Sequence, residues 1–113
     1  MKSWLICGAV GLAAALVAAA ACGQGAPSAP SDAEVLALVR THCVPCHAAE
    51  PTHQAFAKPP VGIMLETIEQ VSRNAAKIMT QVVVERAMPL GNETEMTDEE
   101  RARIAAWIER RKP

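Results

Sequence analysis

The chain has 113 residues, half of them hydrophobic and a fifth charged, with a formal net charge of −1. This leaves room for one small domain and excludes the basic excess that nucleic-acid binding calls for. There is no tyrosine, one phenylalanine and two tryptophans. A core of about 80 residues with so few aromatics rarely suffices by itself, so the composition favours a fold completed by a bulky apolar group.

Lys2 supplies a positive start, and Trp4 to Ala21 is an unbroken run of apolar and small residues ending in Ala19-Ala20-Ala21-Cys22-Gly23. Residues 1–21 therefore read as a secretory signal and not as part of the fold. Three fates follow, in this order of preference. Cys22 could be lipidated, since the small residues before it resemble a lipobox, although Ala19 stands where leucine is usual. Ordinary cleavage would leave a soluble periplasmic protein. The run is also long enough, against the roughly 20 residues needed, to stay as an uncleaved membrane anchor. Residues 22–30 form a small-residue linker, or a tether if Cys22 carries lipid.

The folded domain is predicted over 31–113. Ser31 is a good N-cap, Asp32 and Glu34 place negative charge in the first turn, and Val35, Leu36, Leu38 and Val39 form an apolar stripe. This helix should run to about His42, read as a solvent-facing residue at the helix end. It delivers the chain into Cys43-Val44-Pro45-Cys46-His47.

A Cys-x-x-Cys-His string is the attachment signature of a c-type haem. Two thiols three positions apart can each add to one vinyl group of the same porphyrin. The next residue, His47, is then held beneath the ring as a proximal iron ligand. The competing readings are a dithiol redox pair and half of a zinc site. The first wants a βαβ setting and the second a further pair of ligands, and neither follows position 47, after which His53 is the only histidine and no cysteine occurs. Cys7 and Cys22 fall in or at the end of the signal, so no pair is left for a structural disulfide. Export agrees with the motif, because covalent attachment in bacteria takes place outside the cytoplasmic membrane.

From Ala48 to Gly62 the prolines and glycine exclude long regular elements. This loop is expected to cover one haem face, with Phe56 on the porphyrin, a carbonyl of Pro59 or Pro60 on the other nitrogen of His47, and His53 at the surface. Thr67 with Gln70 reads as a capping box opening a long helix whose apolar stripe runs from Ile68 to Val83 and which ends before Pro89, with a break near Ser72 to Ala75. Val82-Val83-Val84 is β-branched, but the helical period continues around it, and no strand is predicted. Thr97 with Glu100 is a second capping box, opening a helix whose buried stripe is Ile104, Trp107 and Ile108. Arg110, Arg111 and Lys112 read as a solvated helix end.

Four methionines follow the motif, and a thioether in the sixth iron position stabilises the ferrous state. Met64 follows the proline loop, Met79 sits on a helix stripe where packing is the commoner role, and Met96 precedes a cap. Met88 lies in Met88-Pro89-Leu90-Gly91-Asn92, a loop between helices, and is the favoured ligand ahead of Met96 and Met79.

An N-terminal helix, Cys-x-x-Cys-His, a Met-Pro loop and a C-terminal helix carrying Trp107 together resemble a class I cytochrome c. The resemblance covers essentially Ser31 to Lys112. It implies a small all-α fold, first and last helices packed near a covalently bound haem, and axial ligands His47 and Met88. A narrower resemblance rests on Cys43 to Ala48, Pro59-Pro60-Val61-Gly62, Ala87 to Asn92 and Met96 to Arg101. These look like the C-terminal cytochrome c domain of bacterial membrane-bound urate hydroxylases. The chain departs from that family in having no multi-helix membrane region ahead of the haem domain. The expectation is therefore a separately encoded equivalent of that domain, or a related carrier with another donor, rather than the oxidising enzyme.

Two functions remain. One is a monomeric periplasmic electron carrier with one haem c, bound through Cys43, Cys46, His47 and Met88, that meets redox partner proteins transiently and is no enzyme. The other is a haem enzyme or sensor with an accessible distal site for peroxide or a gas. The second needs a distal acid-base group, and the Met88 loop offers none. Without the signal, ten basic and twelve acidic side chains remain, too even a balance for strong steering of partners.

Overall fold

The computed structural model describes residues 28–113, so the expectations for the signal, for Cys22 and for the linker up to residue 27 lie outside the described residues. Helices and turns make up the fold, and no strand occurs among the described residues. The main elements are α1 (Asp32–His42), α2 (Ile68–Arg73), α3 (Ala75–Ile78) and α4 (Asp98–Arg110). No helix of the described residues is long and apolar enough to cross a membrane.

Three of these helices start on the same device. The Ser31, Thr67 and Thr97 hydroxyls accept from the backbone N–H three residues on, and Glu34, Gln70 and Glu100 return a side-chain oxygen to the cap residue. Each box satisfies two donors that a helix start leaves open.

Between α2 and α4 the predicted long helix is broken, at Asn74, within the stretch where a break was expected. It resumes as a regular helix for only one turn, α3. After α3 the chain winds more loosely through Met79–Val84, where the Glu85 N–H reaches back five residues to the Thr80 carbonyl at 2.8 Å. A π-wound turn of this kind accommodates the β-branched triplet, which crowds a regular α-helix.

The core joins α1 and α4 to the middle segments. Val35 and Val39 of α1 meet Ile104, Trp107 and Ile108 of α4, with Leu65, Val71, Ile78, Val82 and Met96 completing the cluster. Trp107 is fully buried and its Nε1–H donates to Asp32 Oδ1 at 2.8 Å, tying the end of the chain to the start of α1. The terminal charges are exposed, as expected of a solvated helix end, and they also make contacts across the junction. Arg111 pairs with Asp32 while lying 4.1 Å over the Trp107 ring, and Arg110 donates to the Pro30 carbonyl at 3.0 Å. Their heads are exposed, but their donors close the helix junction rather than only meeting water.

Candidate haem site

Helix α1 ends where the motif begins. The Cys43 N–H still bonds Val39 at 2.8 Å, and one further turn follows, in which the Cys46 and His47 N–H groups both bond the Cys43 carbonyl, at 3.1 and 2.8 Å. Residues 43, 46 and 47, spaced three and four apart, are thereby stacked on one side of that turn. All three line one cavity of about 730 Å³, inside the range of roughly 300–1,000 Å³ typical of ligand sites. Its wall is largely carbon, with Phe56, Ile63, Leu65, Ile78 and Val82 among the contributors.

The His47 ring is fixed by a carbonyl, as expected, but by a different one. Nδ1 donates to the Ile63 carbonyl at 2.9 Å, while the His47 carbonyl accepts the Leu65 N–H at 2.8 Å. The Pro59 and Pro60 carbonyls are taken by the Gly62 and Ile63 N–H groups in the tight turn Pro60–Gly62. A carbonyl can only accept, so Nδ1 carries the proton and Nε2 keeps its lone pair for a metal.

The four methionines after the motif separate cleanly. Met96 is buried in the core, Met79 packs against it, Met64 is exposed, and Met88 alone lines the cavity. Both backbone polar groups of Met88 are engaged: its N–H donates to Gln81 at 3.0 Å and its carbonyl accepts from Arg101 at 2.7 Å.

His53 sits at the cavity edge, half-buried, with its ring centroid 5.6 Å from that of Phe56. Nδ1 accepts the Ala55 N–H at 3.2 Å, so Nε2 is the donor to Glu93 at 3.0 Å, and neither nitrogen is left for a ligand.

His42 is a correction. It is buried, not solvent-facing: Nδ1 bonds Thr94 Oγ1 at 2.8 Å, Nε2 lies 3.3 Å from Glu100 Oε2 outside in-line hydrogen-bond geometry, and the ring forms part of the cavity wall. The spacing of Val35, Val39 and His42 places all three on one helix face, and that periodic signal was legible. Arg101 was the other residue sequence reasoning passed over, although it shares the stripe of Ile104 and Ile108 on α4.

Burial also acts on the two thiols. Burial, reinforced by the Cys46 thiol, pushes Cys43 up to about 12, and burial with Glu93 nearby raises Cys46 as well. Both thiols are thereby held towards the neutral form while no group is attached to them. Among the described residues no three His, Cys, Asp or Glu side chains gather as a metal-binding group. A covalently attached haem would find two thiols on one turn, an oriented imidazole, a thioether and an apolar wall there.

No protein-family model matches the chain, and no curated protein and no solved structure matches it either.

Proposed function

We propose that this protein is a class I cytochrome c that carries single electrons in the periplasm. The observation that supports this most directly is the shared cavity of Cys43, Cys46, His47 and Met88, with His47 Nε2 left free by the Nδ1 bond to Ile63. A c-type haem held there would supply an iron that changes between ferric and ferrous states. The chain's own residues do the rest. Cys43 and Cys46 would hold the porphyrin through thioethers, His47 and Met88 would ligate the iron, and the carbon-rich wall would pack against the ring. An iron held by both residues would favour electron transfer, because neither ligand would have to leave when the charge changes. At the cavity edge both His53 nitrogens are engaged, one by Glu93 and one by the Ala55 N–H.

The carrier is proposed to work as a monomer with transient redox partners, exported by residues 1–21 and tethered through lipid on Cys22. Its resemblance to the haem domain of urate hydroxylases makes a urate-oxidising or related membrane dehydrogenase the proposed donor.

The test is attachment. Expressed with a periplasmic haem-maturation system, the chain should carry one haem that survives denaturation, visible as a single-haem mass increment and as a pyridine haemochrome of the bis-thioether type. Cys43→Ser and Cys46→Ser should each leave one unsaturated vinyl and shift that haemochrome band. A wild-type chain that emerges without covalent haem would overturn the reading.

A further inference from the structure

Arg101 stands on the buried stripe of α4 and is only 6 % exposed. Its guanidinium donates through Nη1 to the Val82 carbonyl at 2.6 Å and the Met88 carbonyl at 2.7 Å, and through Nη2 to Asn92 Oδ1 at 3.1 Å. Asn92 in turn bonds both the N–H and the carbonyl of Met96. All partners of the guanidinium are neutral oxygens, and among the described residues no carboxylate pairs with it.

A buried cation without a counter-charge is costly, and an aliphatic side chain of similar volume would fill such a place at least as stably. What an aliphatic residue cannot do is join the π-wound turn at Val82, the Met88 carbonyl and the Leu90–Asn92 turn in one planar fork. The segment it holds has no regular structure of its own: Arg86, two residues before Met88, has φ of 58°, in the left-handed region. With the Met88 N–H on Gln81, Arg101 leaves this residue pinned on both sides of its α-carbon.

We propose that Arg101 is a positioning residue that clamps the Met88 backbone and so keeps the thioether at the iron against competing ligands. This rests on the haem reading above. A neutral thioether is a weaker ligand for ferric iron than an imidazole, so its retention depends on how firmly the protein holds it.

Imidazole is the probe. In the oxidised, periplasm-matured holoprotein, Arg101→Met should bind imidazole at least tenfold more tightly than wild type, and its near-infrared sulfur-to-iron band should titrate away at lower pH. Arg101→Lys keeps the charge but not the fork and should fall between the two. If Arg101→Met does not accumulate, Arg101→Lys decides alone. Ile104→Val, a core change on the same helix, controls for lost stability and should bind imidazole as wild type does. Arg101 variants that lose stability yet match wild type in imidazole affinity and band pH would overturn the clamp while leaving the haem reading intact. A wild type lacking covalent haem or the sulfur band would overturn the ligand reading, and the clamp with it.

Discussion

Truncating Met96 and Met88 in turn should give opposite results, because the two side chains occupy different environments. Met96 is 4 % exposed and packs in the core. Removing a buried methionine side chain costs about 2–5 kcal/mol, the lost transfer energy plus a cavity that neighbours fill only in part. For a domain of this size that is roughly 10 °C or more of melting temperature. Met96→Ala should therefore unfold earlier in heat and guanidinium, yet keep the visible and near-infrared spectrum of the folded wild type. Met88→Ala removes a half-buried side chain from the cavity wall. It should cost less in the apo-like contacts of the core, lose the near-infrared band, and open the ferric iron to water or added imidazole. The assay is a guanidinium melt followed by circular dichroism, paired with absorption spectra on the same samples. A Met96→Ala protein that loses the band, or a Met88→Ala protein that keeps it, would refute the assignment of roles.

Two further outcomes follow from the geometry. Acidification should destabilise the fold through its helix-start carboxylates. The Trp107 indole and Arg111 hold Asp32 below its usual range, Ser31 does so for Glu34, and the Thr97 N–H followed by His42 for Glu100. A depressed folded pKa contributes stability that is full above the unfolded value, about 4, and is lost as pH falls through the folded value. The denaturation midpoint should thus decline between pH 5 and pH 2, and a midpoint constant over that range would contradict it. His42→Ala should cost about 1–3 kcal/mol, since Thr94 loses its partner in a half-buried place, with a urea melt as the check and a loss under 0.5 kcal/mol as the contrary result.

Much of this architecture was legible because it depends on local pattern. The Thr67/Gln70 and Thr97/Glu100 boxes, the stripe Ile104, Trp107, Ile108 and the break before Ala75 are all written in residue spacing. Other features depend on where distant backbone groups fall. Nothing in a sequence shows that the Pro59 and Pro60 carbonyls will be consumed inside their own turn, so that Ile63 supplies the acceptor for His47. The π winding at Met79–Val84 follows from β-branched crowding, but a 3.6-residue period conceals it. His42 and Arg101 were misjudged or passed over for a shared reason: a polar side chain on an apolar stripe reads as surface until its buried partners, Thr94 for one and three oxygens for the other, are brought beside it by the fold.

The central claim is a single iron held by His47 and Met88 that exchanges one electron without changing ligands. Its most direct test is a spectroelectrochemical titration of the matured wild-type protein, followed from the visible into the near infrared. The account predicts one reversible one-electron wave, low-spin spectra in both states, and a sulfur-to-iron band present only in the oxidised form. A high-spin spectrum in either state, or a wave accompanied by ligand exchange, would contradict it.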